Sequence, residues 1–259
     1  MKIVVCVEQV PDTETRIRVA PEGNRIVEQD LTWIVSPFDE FAIEAGLRIK
    51  EQKGGEVVLV SLGPDRVQSA LRTGLAMGAD SALHVKDAAF EGSDTLAIAR
   101  GLAAAIRTVA PVDLVLTGQQ GVGGDHSQIP GLLAEMLDLP QVTVAVKLSV
   151  EDGKATVERE IEGARETWET ALPAVISTQK GLNEPRYASL KGIMAAKKKP
   201  VDVKDAAALG LSADDLAPRL PVVSMSLPPE RPPVKMIEGD ADTQVRELMR
   251  LLHEEAKVI

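Results

Sequence analysis

Residues 118–131 read Gly-Gln-Gln-Gly-Val-Gly-Gly-Asp-His-Ser-Gln-Ile-Pro-Gly, between the apolar run VDLVLT and the amphipathic stretch IPGLLAEML. Glycines there let backbone N–H groups approach a ligand closely, and a helix starting at its far end turns its positive pole toward an anion. The loop is not a Walker P-loop, because no Gly-Lys-Ser/Thr follows. It lacks the GxGxxG spacing and is not an SGGxDS pyrophosphatase loop. By composition alone, a nucleotide site and a plain glycine-rich turn are equally well supported. Asp125 would repel a phosphate, yet it can accept from a ribose hydroxyl or a ring N–H. It can equally cap the following helix. His126 reads as exposed.

Other reactive groups are few. Cys6 is the only cysteine, so no disulfide or cysteine-ligated cluster can form within the chain. His84, His126 and His253 make no i, i+4 ligand pair, and a tight metal site is not expected. Redox chemistry must then come from a bound organic cofactor or a partner. Cys6 reads as a buried thiol at a strand end, and Ser36 as a helix cap whose loop also faces the same side of the fold.

The elements that position these groups follow from hydrophobic period. KIVVCV, EVVLVSLG, ADSALHV and VDLVLTG are apolar runs of the kind buried on both sheet faces. Between them lie amphipathic helices: one starting at Ser36-Pro37, one closed by Gly78, one capped by Ser93 or Asp94. A short fourth helix stops at Pro140. This alternation predicts an α/β fold with a parallel sheet flanked by helices. The loops after Val7, Ser61, Val85 and Thr117 should line one crevice at the carboxyl ends of the strands. RIRV and NRIVEQ flank APEG as a small hairpin. Added antiparallel strands follow around Asp152-Gly153, with EREIEGARETWET as a solvated face, and PAVIST is a further buried strand. KGLNEPRYASLKGIMAAKKKP is a polar turn leading into a short helix with a basic end, or an exposed apolar anchor with a basic flank that docks an acidic partner. From Pro200 to Pro233 lie seven of the sixteen prolines, which predicts an extended arm, and DADTQVRELMRLLHEEAKVI ends the chain as an amphipathic helix. The expected division is a nucleotide-binding α/β domain over 1–199 and a C-terminal arm and helix over 200–259.

Net charge is −10 over 259 residues, which argues against nucleic acid as the main partner. No run is long enough to span a bilayer, and the N-terminal residues suit a first strand better than a signal peptide. A bacterial cytoplasmic protein is expected. A stand-alone nucleotide-binding stress protein conflicts with the proline-rich arm. An adenylate-forming or hydrolytic enzyme needs a metal–triphosphate cluster of Lys, Ser and Asp that is not visible.

Taken in order, VVCVEQVPDTE, SPFDEFAIE, GLAMGAD, LVLTGQQ and above all VEREIEGARETWETALPAVISTQKGLNEPRYASLKGIMAAKKK resemble electron transfer flavoprotein beta subunits over essentially the whole chain. The resemblance implies an adenine nucleotide alpha hydrolase-like core without hydrolase activity, and a heterodimer with an alpha subunit that holds most of a redox FAD. It also implies a structural AMP in this chain and docking of flavin-dependent dehydrogenases. Carried over, Cys6 and Ser36 fall beside the nucleotide. Gly118, Gln119, Gln120, Gly121, Val122, Gly123, Gly124, Asp125, Ser127, Gln128 and Ile129 form its main binding segment. Leu190 falls on the anchor of the recognition loop, with Ile193 and Met194 beside it and Lys197, Lys198 and Lys199 in its basic tail. Glu160 falls where related chains help hold the flavin domain.

AMP-binding members commonly carry an acidic run before the Asp, where this chain has Gly123-Gly124. Bifurcating members, which bind a second FAD there, read Asp-Gly-Asp-Thr-Ala-Gln-Val-Gly-Pro. Gly124, Asp125 and Gln128 fit that pattern; Gly123, His126, Ser127, Pro130 and Gly131 do not. AMP is the favoured ligand and a second FAD the alternative.

Overall fold

The structure, a computed structural model, describes residues 1–259, which divide into two units, Met1–Ser224 and Met225–Ile259. In the first unit the chain order is β1 (Lys2–Cys6), β2 (Gln9–Pro11), β3 (Trp33–Val35), α1 (Pro37–Lys53), β4 (Glu56–Leu62), α2 (Val67–Met77), β5 (Ser81–Val85), α3 (Thr95–Thr108), β6 (Leu114–Gly118) and α4 (Ile129–Leu137). There follow β7 (Gln141–Glu151), β8 (Lys154–Ile161), β9 (Ala164–Ala171), β10 (Ala174–Thr178), α5 (Leu190–Ala196), β11 (Val201–Lys204) and α6 (Ala213–Leu216). The second unit holds α7 (Ala241–Arg250), prolonged by a wider turn over Leu251–Glu255.

Nine strands form one sheet in the order β11-β5-β4-β1-β6-β10-β7-β8-β9. All pairings from β11 to β7 are parallel, and β7-β8-β9 are antiparallel. The apolar runs are strands buried on both faces, as their lack of alternation predicts. Ile3, Val5, Leu59 and Leu116 face α1 and α2. Val4, Val58, Val60 and Val115 face α3 and α4 on the other side. From β1 the chain moves outward to β4 and β5, then returns past β1 to β6. The strand order therefore reverses between β1 and β6, where an open sheet leaves a crevice at its carboxyl edge.

The helix ends follow the expected chemistry in part. Asp94, not Ser93, caps α3 by accepting the Ala97 N–H at 2.9 Å. Gly78 closes α2. Pro37 opens α1, but the Ser36 side chain makes no capping bond.

One expectation needs correction. The hairpin of residues 16–28 is reduced to one bridge, Val19 with Ile26. Around it β2 and β3 pair as a small antiparallel sheet that neither run announces. The first compact unit runs on to Ser224, beyond Pro200 where the proline-rich stretch begins. The reason is β11: Val201–Lys204 adds to the edge of the main sheet beside β5, and α6 buries Leu216 in the core around α3. Pro-rich composition begins at Pro200, but the extended course starts only near Pro218. In the second unit α7 carries Val245, Leu248 and Met249 exposed on one face.

Candidate functional site

β1 and β6 lie side by side and stop together, and their following loops leave toward opposite faces of the sheet. α1 enters beneath both. Its first turn carries Asp39, buried with 6% exposure. The two carboxylate oxygens of Asp39 accept the Glu8 N–H at 2.7 Å and the Gly118 N–H at 2.9 Å. This side chain bridges the ends of the two strands at the point where the strand order reverses. Behind it the Thr178 hydroxyl donates to the carbonyls of Phe38 and Thr117, so β10 is tied into the same floor.

The loop from Gly118 to Gln128 arches over this floor. Gln119 is fixed at its root: its N–H donates to Thr178, and its side-chain oxygen accepts from the Ser177 hydroxyl at 2.6 Å and the Val144 N–H at 3.1 Å. Gln120 clamps the arch, donating to Asp125 at 2.8 Å and accepting from the Ser127 hydroxyl at 3.1 Å. Gly123, Asp125 and Ser127 take positive φ values of 101°, 50° and 53°. Asp125 therefore does not cap α4. That position falls to Gln128, three residues later. The N–H groups of Gln120 through Gly124 have no acceptor within the chain, which is the donor pattern an anion cradle requires. His126 is exposed, as expected, with Nδ1 3.5 Å from the Thr95 hydroxyl.

Close approach explains two of the glycines. A Cβ on Gly118 would overlap Asp39 Oδ1 and Phe38, and one on Gly121 would overlap the Glu8 carboxylate. Cys6 is buried beneath the loop after β1. Burial first, and the Asp39 charge second, push its thiol far above its ordinary range, so it packs rather than reacts. The Ser36 hydroxyl is fully buried at the start of α1 and has no partner in the chain. A buried polar atom left unpaired costs ~1–3 kcal/mol, and a ligand hydroxyl or phosphate oxygen in the crevice would satisfy it.

Val144 supports the root of the loop at a cost. It is β-branched, yet sits at φ 63° in a bulge where β7 shifts register against β10. Its N–H is thereby aimed at Gln119 and Ser177. A β-branched residue is strained there. Val144→Gly is expected to stabilise the chain by about 1 kcal/mol, read as a higher denaturant midpoint; a lower midpoint would show that the side chain outweighs the backbone.

The structure places Cys6, Ser36 and the root of the loop at the same end of the sheet, joined through Glu8 and Asp39, which sequence reasoning did not single out. Asp39 stands in the first turn of a helix, where acidic residues ordinarily face water. Its one available signal was a helix N-terminus already assigned to the crevice side.

The segment 180–199 runs over α1 and α2, away from the crevice mouth. Arg186 donates from Nε to Glu44 at 2.7 Å and from Nη1 to Glu51 at 2.5 Å, and Arg48 donates to Glu44 at 2.6 Å. Asn183 donates to Phe41 O, and Arg72 holds the carbonyls of Ala196 and Lys199. On this fixed base Tyr187 is 98% and Leu190 84% exposed, with Ile193 and Met194 open beside them. Lys197 and Lys198 are exposed. Lys199 is not part of that basic tail: its ammonium donates to Leu75 O at 3.0 Å and Ala79 O at 2.5 Å, at the carboxyl end of α2. A cation there meets the negative pole of the helix. Lys199→Met is expected to destabilise by about 1 kcal/mol in a melt, and Lys198→Met to leave the midpoint unchanged. Glu160 is exposed on β8 opposite Arg165.

A family model described as electron transfer flavoprotein domain matches residues 23–209. The chain is 38% identical to the electron transfer flavoprotein subunit beta of Bacillus subtilis over 261 residues, 100% of each chain. The chain belongs to the electron transfer flavoprotein beta-subunit family. The Sus scrofa subunit beta is 41% identical across 97% of this chain and 99% of its own. CarD, a subunit of the caffeyl-CoA reductase–Etf complex of Acetobacterium woodii, is 40% identical across 83% and 82%. Membership in the beta-subunit family makes electron transfer the role of this chain, as a carrier subunit rather than an enzyme. No helix is long and apolar enough to cross a membrane.

Proposed function

We propose that this chain pairs with an electron transfer flavoprotein alpha subunit in the cytoplasm and binds AMP in the crevice between β1 and β6. The redox FAD is held mainly by the alpha subunit. Electrons arrive from flavin-dependent dehydrogenases that dock on Leu190 and its neighbours, and leave to a respiratory-chain acceptor. FAD supplies the electron-storing chemistry in such a complex. The residues of this chain hold a nucleotide, shape a docking surface and, at Glu160, steady the flavin domain.

The observation that carries the nucleotide reading is the row of unpaired N–H groups from Gln120 to Gly124, together with a buried, partnerless Ser36 hydroxyl at the start of α1. Both are donors that fit phosphate and ribose oxygens. A static nucleotide there would stabilise the fold by linkage. The likeness to CarD favours a second reading, with a second FAD in the same crevice.

Denaturing the purified heterodimer and separating the released nucleotides distinguishes the two. AMP with about one FAD per dimer is expected. Two FAD and no AMP would replace the AMP reading with the other.

A further inference from the structure

The loop from Gly118 to Gln128 has little of its own to hold it in shape. Its backbone bonds to itself once, from the Asp125 N–H to Gly121 O at 3.0 Å. Gln119 fixes the root. Beyond the root, the side-chain hydrogen bonds inside the loop are both made by Gln120, which is half-buried. Its amide nitrogen donates to Asp125 Oδ1 at 2.8 Å, and its amide oxygen accepts from the Ser127 hydroxyl at 3.1 Å. Both partners sit in the left-handed region, at φ 50° and 53°. Aspartate enters that region more readily than most residues, and serine less so. Left to itself such a backbone relaxes, and it persists where the surroundings over-determine it. Here one amide reaches both strained residues. Only a carboxamide can do so, because the group must donate toward a carboxylate and accept from a hydroxyl at once.

We propose that Gln120 is a positioning residue for the nucleotide: its amide holds Asp125 and Ser127 in left-handed backbone before any ligand enters. The inference rests on the nucleotide reading of the crevice. The unpaired N–H groups from Gln120 to Gly124 are then set out in the free protein rather than assembled at each binding event. Such preorganisation raises affinity by removing an ordering cost. It also stores strain in the free loop. Releasing the clamp therefore relaxes the nucleotide-free protein while weakening its hold on the ligand, a combination that an ordinary structural hydrogen bond does not give.

The test uses the purified heterodimer after its nucleotide has been removed. Gln120→Met keeps the length of the side chain and removes both bonds. It is expected to raise the AMP dissociation constant about tenfold. It is also expected to speed exchange of the Asp125 amide proton in the nucleotide-free protein, and to leave the nucleotide-free thermal midpoint unchanged or higher. Ser127→Ala removes one bond of the two and is expected to fall between wild type and Gln120→Met. Gln120→Glu sets a carboxylate against that of Asp125 and is expected to free the loop as well. Adding Asp125→Asn to Gln120→Glu reverses the polarity of the pair, since the amide is then at 125 and the acceptor at 120, and slow exchange is expected to return.

A nucleotide-free midpoint that drops in Gln120→Met would make the residue a structural one and overturn the inference. Weaker AMP binding with unchanged Asp125 exchange would make Gln120 a direct ligand contact, and would overturn it as well. Unchanged affinity in Gln120→Met would overturn it while leaving AMP binding intact. No AMP bound by the wild type would remove the nucleotide reading and this inference with it.

Discussion

Leu190→Ala is expected to slow reduction of the flavoprotein by its dehydrogenase by about tenfold or more, the cost of removing one interface anchor. The midpoint of unfolding should not move, because the side chain is 84% exposed and packs on nothing. The physical case is the contrast between the tip of the segment and its base. Arg186, Asn183, Arg72 and Lys199 tie the base to α1 and α2 through charged or backbone hydrogen bonds. The tip then presents Tyr187, Leu190, Ile193 and Met194 to solvent at little further entropic cost on docking. A large apolar group held open in this way marks a contact surface. Lys197 and Lys198 beside it add charge steering, which mainly raises the association rate. Stopped-flow reduction at limiting dehydrogenase checks the prediction, and equal rates for wild type and variant would remove Leu190 from the docking surface. A charge-neutral Lys197→Gln, Lys198→Gln pair should instead weaken the salt dependence of that rate.

The second large effect is one of stability. Arg186→Met leaves Glu44, only 3% exposed in its side chain, with Arg48 as its remaining partner. Breaking one side of a buried ion pair costs more than the pair itself contributes, and about 2–3 kcal/mol is expected here because Arg48 stays in place. Adding Glu44→Gln should recover part of the loss, since a neutral amide is less costly to bury than an unpaired carboxylate. Denaturant midpoints of the two single variants and the double variant measure the coupling. An Arg186→Met midpoint equal to wild type would show the bridge to be ornamental. The same pair gives a pH dependence. Burial alone would raise the Glu44 carboxyl, but the hydrogen bonds from Arg186 and Arg48 outweigh it and hold it below its ordinary value of 4.5. A carboxyl depressed in the folded state stabilises fully above its unfolded pKa. That share of stability is lost as pH falls through the acid range below 4.5.

The frame of this molecule was legible because its strands are buried on both faces. Runs such as KIVVC and EVVLV have no other reading in a chain that alternates them with amphipathic helices. The parallel pairing of the strands followed from that alternation, and with it the expectation that Cys6, Ser36 and the loop from Gly118 lie at one end of the sheet; the strand order itself was not legible. Short elements were not legible. β2 and β3 have three residues each and are joined only after a long excursion, so neither carries a period. β11 is a four-residue edge strand with two exposed residues, set in a proline-rich stretch whose composition points to an extended arm. The buried carboxyls escaped for a different reason. Asp39 and Glu44 lie where charge ordinarily faces water, and only the approach of another element encloses them. Lys199 looked like the third of three equivalent lysines until the end of α2 came within reach of its ammonium.

α1 is about 25 Å long, with its first turn in the floor of the crevice and the next turns, at Phe41, Glu44, Arg48 and Glu51, under the docking segment. The two surfaces thus share one spoke. A substitution that loosens the helix from the sheet degrades both at once, and neither can be retuned independently through residues on this helix. Variation that alters the docking segment alone has room only on its far side, from Tyr187 to Lys198, where nothing reaches back to the crevice floor.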